Sequence, residues 1–256
     1  MVRHSDNPAA TTRDVTPQSL REEWRALLAF LKRPRLPDQP TGPSRSALAS
    51  IGGLFAIDFA LMFLLSLAVM IAIAAGYQMP NNLLDDIELS PGWIAVIVLG
   101  APIAEELIFR MGLSGRLGHL LAVIVTLLAV IALAPLAMLQ WETNPTLVIA
   151  AALVALGAVV ALGWWARGQR PLRWFARIFP AIFWLVALLF GAIHITNYEA
   201  AALVMLPLVL PQFVMGLLLG YARVKFGLWS AILLHAMHNG AAVGVMLLGQ
   251  ALGVEI

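Results

Sequence analysis

Hydrophobic positions along this chain gather into seven long blocks, at about 47–75, 92–111, 117–139, 146–166, 178–197, 200–222 and 226–249. Each is near the ~20 apolar residues that a helix needs to cross the hydrocarbon of a bilayer. A spanning segment must also satisfy its own backbone groups, so the pattern predicts an all-α, polytopic membrane helix bundle of about seven transmembrane helices. The polar stretch 1–46 has a different rhythm. Leu20, Trp24, Leu27, Leu28 and Leu31 recur at helical spacing behind Thr16 and Pro17, which read as the cap and first turn of a helix. Arg21, Arg25, Lys32, Arg33 and Arg35 surround this stripe and favour an amphipathic helix lying on anionic headgroups; a partly disordered tail is the competing expectation. The first apolar run starts too far in for a cleaved signal to be expected. Pro135, Pro180, Pro207 and Pro211 are expected to bend or begin spans without dividing the chain.

Composition sharpens the picture. With 61% hydrophobic and 12% charged residues among 256, little is left over for a water-soluble domain. The expected organisation is a cytoplasmic polar tail, 1–46, ahead of one membrane domain, 47–256. A net charge of +2 gives no basis for nucleic-acid binding, and the absence of cysteine removes disulfides, thiol nucleophiles and thiolate metal sites. All 16 Lys and Arg fall before the first span or in alternate loops, at Arg110 and Arg116, at Arg167, Arg170, Arg173 and Arg177, and at Arg223 and Lys225. The opposite loops hold Asp85, Asp86, Glu88, Glu142 and Glu199, and the tail holds Glu255. Positive residues collect on the cytoplasmic side, so the N-terminus is expected inside and the C-terminus outside.

Against that background the ionisable residues within spans stand out, because each is costly unless it meets a partner or water. They are Asp58, Glu105, Glu106, His194, His235 and His238, with Gln212 and Asn239 as neutral polar companions. Glu106 precedes Arg110 by four residues, the favoured order for an ion pair along a helix face. Glu105 points about 100° away and is free to accept a proton or bind a metal; anchoring of a helix end by both carboxylates is the plainer alternative. His235 and Asn239 are four apart and share a face, a candidate donor pair for an oxyanion or simple interhelical glue. His238 competes with His235 for that role. Phe190 and His194 are likewise four apart, which puts the ring under the imidazole. Asp58 reads as a hydrogen-bonded packing partner. A carboxylate and two histidines on three helices are the parts needed to activate water and stabilise a tetrahedral intermediate.

The ordered set Glu105-Glu106-Leu-Ile-Phe-Arg110, Phe190-Gly-Ala-Ile-His194 and His235-Ala-Met-His238-Asn239 resembles the CAAX prenyl protease and bacteriocin-processing (CPBP) membrane endopeptidases, whose motifs read EExxxR, FxxxH and HxxxN. The runs Met215–Arg223 and Gly227–Ser230 look like that family's approach to its third motif, and the resemblance covers about 90–245. The 89 positions between Glu105 and His194 are more than the family usually shows, and an extra helix pair at about 117–166 fills them. Such a pair returns the chain to the side it left, so the motif helices keep their relative orientation. At ~1.5 Å per residue, His235 is about 12 Å above Gly227, Glu105 about 16 Å above Arg116 and His194 about 21 Å above Pro180, so tilt or unwinding must level the three.

The resemblance implies an intramembrane endopeptidase. Glu105 would draw a proton from water, His194 would position that water or its metal, and His235 and Asn239 would stabilise the oxyanion. Glu106, Arg110, Phe190 and His238 would support them. Two mechanisms stay open: Glu105, His194 and His235 could hold zinc or another divalent metal, or Glu105 could act as a metal-free base. No HExxH helix is present, which argues against a zincin-type site. The implied partners are membrane lipids and a hydrophobic peptide or lipidated protein, in a bacterial inner (plasma) membrane; oligomeric state is left open. The rival readings are a non-catalytic immunity or scaffold protein of the same fold, and a proton-coupled transporter, for which no internal repeat speaks.

Overall fold

A computed structural model describes residues 19–82, 88–140, 143–198 and 203–253. It is a bundle of eight helices: α1 (Leu20–Lys32), α2 (Arg45–Ala74), α3 (Pro91–Phe109), α4 (Leu117–Gln140), α5 (Pro145–Trp165), α6 (Arg173–Ile193), α7 (Leu210–Phe226) and α8 (Leu228–Ala251). All but α1 are long and apolar enough to cross a membrane. The described residues contain no strand, and one isolated antiparallel bridge joins Asn82 to Tyr198. Short polar side chains start the helices: Ser19, Ser44, Ser90 and Asn144 each accept a backbone N–H of the first turn, and Pro91 and Pro145 follow the last two. The cap expected at Thr16 and Pro17 lies outside the described residues.

The spans agree with the hydropathy blocks to within a few residues, except that α6 begins earlier and α7 later, after a 3₁₀ stretch over Leu203–Val209. The span that includes α7 is 61% buried, against 28% or less for every other, so α7 is the central post and the rest keep lipid-facing sides. Helices α6 and α7 meet through glycines. A Cβ on Gly191 would lie 2.9 Å from Phe213 Cβ and 3.1 Å from its backbone, and one on Gly220 would strike the Phe183 ring at 2.7 Å. Small residues let membrane helices approach until van der Waals packing holds them. Helices α7 and α8 are joined by Gly227 alone, whose φ of +114° suits glycine and reverses the chain in one residue.

Helix α1 is seated on the bundle. Leu27 is buried with Ile51, Leu54, Leu218 and Tyr221, and Phe30 edges against Phe183. Glu23, only 2% exposed, accepts the Tyr221 hydroxyl at 3.3 Å and pairs with Lys225 at 3.5 Å. The inserted hairpin α4–α5 packs on the end of α3 through Met111, Ala122 and Val159, with Leu107 and Leu228 against them.

Candidate active site

Helix α3 changes winding just before its two carboxylates. Val96–Gly100 is a π-helical segment, in which Ala101 N–H bonds back to Val96 O, five residues away. In the same register Ile97 O would look to residue 102, which is a proline and has no N–H. Asn239 Nδ2 on α8 donates to Ile97 O at 2.8 Å and fills that vacancy. A local backbone defect thus ties α3 to α8 beside Glu105 and Glu106.

Glu106 and Arg110 are fully buried, with Arg110 Nη1 3.1 Å from Glu106 Oε1. The nitrogen lies off hydrogen-bonding alignment, so the attraction is charge on charge. The guanidinium also rests 3.7 Å from the centre of the Phe190 ring. Glu106 Oε1 receives Nδ1–H of His235 at 3.0 Å. An ionised carboxylate only accepts, so Nδ1 carries the proton and Nε2 is the free nitrogen of that ring. Nε2 lies 3.8 Å from Glu105 Oε2, which is buried and has no hydrogen-bond partner, while the Glu105 side chain as a whole is 30% exposed. This gap is too long for a direct bond, and a water lying off the line between the two atoms could touch both.

His194 caps the C-terminal end of α6, at the start of the turn His194–Asn197. Its Nδ1 donates to Phe190 O at 2.7 Å, which assigns the proton to Nδ1 and leaves Nε2 as an acceptor. Helical side chains lean toward the N-terminus, so the imidazole drops from the helix end onto Phe190. The two rings are 4.9 Å apart and the Phe190 ring is 5.8 Å from His235, so one phenyl touches both imidazoles. The three motif helices therefore reach a common level despite their unequal spacing from the loops.

Glu105, Glu106, Arg110 and His235 form one connected group, Asn239 joins it through Ile97, and His194 joins it through Phe190. No three His, Asp or Glu side chains among the described residues converge closely enough to share a metal ion. Glu105, His194 and His235, the candidate ligand set, do not form such a group in this arrangement.

His238 turns the other way, toward α2, where its Nδ1 donates to Asp58 Oδ2 at 2.7 Å. The partner anticipated for Asp58 is thus His238, which lies beside the site and outside its hydrogen-bonded group. Sequence reasoning also missed Arg223. Counted as a loop charge and as the end of the Met215–Arg223 run, with no role at the site, it is buried, and its Nε and Nη2 donate to Arg110 O and Met111 O at 2.9 and 3.2 Å. It ties off the end of α3, adding to the Leu113 N–H that Arg110 O already accepts. Pro102 was the available signal for the π segment.

A family model described as Type II CAAX prenyl endopeptidase Rce1-like matches residues 88–241, which include every motif residue and the inserted hairpin. No match was found among curated proteins or among solved structures. The matched stretch is more than half of the chain. The chain belongs to the Rce1-like type II CAAX prenyl endopeptidase family, a family of proteases, and is an integral, multi-pass membrane protein.

Proposed function

We propose that the protein is an intramembrane endopeptidase that uses Glu105 as a metal-free general base. The observation that carries this reading is the unpartnered Glu105 Oε2, 3.8 Å from a His235 Nε2 whose other nitrogen is pinned by Glu106. Water held between them loses a proton to Glu105 as its oxygen adds to the peptide carbonyl carbon. The second N–H of Asn239 meets the developing oxyanion, while His235 Nε2, which carries no hydrogen, accepts the water's other hydrogen. His194, with Nδ1–H committed to Phe190 O, offers Nε2 as a further acceptor at the site. When the C–N bond breaks, the proton on Glu105 passes to the leaving amine, which restores the carboxylate. Glu106 and Arg110 hold the His235 ring at the angle this requires.

A hydrophobic peptide or a lipidated protein tail is the substrate that suits a site at this depth. The basic residues before the first span and in alternate loops favour a cytoplasmic N-terminus, and the setting proposed is a bacterial inner membrane. The test is incubation of the protein, reconstituted in lipid nanodiscs, with apolar peptides with and without a farnesylated cysteine, with and without 1,10-phenanthroline. Mass spectrometry is expected to find cleavage that survives the chelator. Cleavage abolished by chelator and restored by zinc would overturn the metal-free base, and no cleavage of any peptide would overturn the peptidase reading.

A further inference from the structure

Asp58 and His238 take no part in the hydrolysis derived above. Asp58 is buried in α2 with its side chain 2% exposed, and His238 holds its Oδ2. The other oxygen, Oδ1, is buried and has no hydrogen-bond partner. Asp58 and His238 line a cleft of about 430 Å³ between α2 and α8, walled by Phe59, Met62, Phe63, Ala242 and Val245. Phe59 and Phe63 are 52% and 64% exposed, so the cleft opens toward lipid. A buried acceptor in such surroundings is unfavourable until a donor reaches it.

Depth narrows the choice of donor. Asp58 lies near the middle of Arg45–Ala74, about halfway through the hydrocarbon, whereas lipid headgroups stay at the interface. A donor that arrives at that level on an apolar body is a backbone N–H of a hydrophobic peptide. The cleft also adjoins the hydrolytic residues, since His238 is three residues from His235, about 60° round α8, and next to Asn239.

We propose that the cleft between α2 and α8 is a substrate subsite that takes an apolar side chain of the peptide together with one backbone N–H, which Asp58 Oδ1 accepts. The proposal rests on the peptidase reading and adds what is recognised beside the scissile bond. His238 acts as a positioning residue that aims the carboxylate.

The test uses Glu105→Ala protein in nanodiscs, which is expected to bind without cutting, and a fluorescent apolar peptide N-methylated at one backbone position at a time. One position is expected to lose about tenfold in affinity, about 1.4 kcal/mol, and the loss should vanish when Asp58→Ala is added. Asp58→Asn has one oxygen for two donors and, with that oxygen held by His238, turns an N–H toward the cleft, so it too should lose the N-methyl dependence. Ala242→Trp, on the lipid-facing wall, should fill the cleft and weaken binding of peptides with a bulky apolar residue by about tenfold while the protein stays folded. A flat N-methyl profile, a profile unchanged by Asp58→Ala, or full binding by Ala242→Trp overturns the subsite. A parent that cleaves with a flat profile refutes the subsite alone; a parent that binds with the expected profile and never cleaves refutes the peptidase reading alone.

Discussion

Replacing Glu106 by Gln is expected to damage stability and activity by separable routes. Glu106 and Arg110 have no side-chain exposure, and all three guanidinium nitrogens of Arg110 lack a hydrogen-bond acceptor, so the carboxylate is the charge that balances them. Removing one member of a buried pair costs about 3–5 kcal/mol, because the other stays buried and uncompensated. The Phe190 face, 3.7 Å from the guanidinium, still supports the cation and puts Glu106→Gln near the lower end, about 3 kcal/mol. The double variant Glu106→Leu with Arg110→Met replaces the pair by apolar groups of similar bulk and should regain most of that loss. The Arg223 clamp survives, because it grips the backbone oxygens of residues 110 and 111. Activity should not return, since His235 Nδ1 has lost its acceptor and the ring its orientation; cleavage should stay down by about 10²–10⁴. Unfolding by SDS titration in mixed micelles, followed by tryptophan fluorescence, reads the first effect, and peptide cleavage at matched protein amounts reads the second. A loss below about 1 kcal/mol in Glu106→Gln, or a double variant that recovers cleavage along with stability, would refute this reasoning.

Three further outcomes follow from other contacts. Asn239→Ala strands the Ile97 carbonyl and should cost about 1–3 kcal/mol in the same unfolding assay, with kcat down about 10²–10³ if the amide also serves the oxyanion. Gly191→Ala drives a methyl into Phe213 backbone and should cost about 1–3 kcal/mol while also lowering kcat, because α6 is displaced where it presents Phe190 and His194. Glu23→Ala leaves the Tyr221 hydroxyl without its buried acceptor and should raise hydrogen exchange across Leu20–Lys32 with kcat within about threefold of the parent, a stability effect of about 1–3 kcal/mol confined to α1.

Much of this architecture was legible in the sequence because two of its signals are one-dimensional. Spans follow from runs of apolar residues, and the shared faces of Glu106 with Arg110 and of Phe190 with His194 follow from the pitch of a helix. Partners brought together by packing were not. Asp58 and His238 were each conspicuous as polar residues within spans, yet nothing at a separation of 180 residues says that they meet. Of the α1 stripe, Leu20, Trp24 and Leu28 are exposed and Leu27 sits in the core, and nothing in the pattern marked Glu23 as buried against Tyr221 and Lys225. Hydropathy cannot register a change from α to π winding, so Asn239 was seen as a possible oxyanion donor and its bond to Ile97 was not.

The most direct measurement is the single-turnover rate of the reconstituted protein and its Glu105→Gln variant on one apolar peptide, with unfolding midpoints compared in the same lipid. Gln keeps the shape of Glu105 and removes its ability to take a proton. The account predicts a fall of at least about 10²-fold in the chemical step with little change in the midpoint. Cleavage by Glu105→Gln within about threefold of the parent would contradict it.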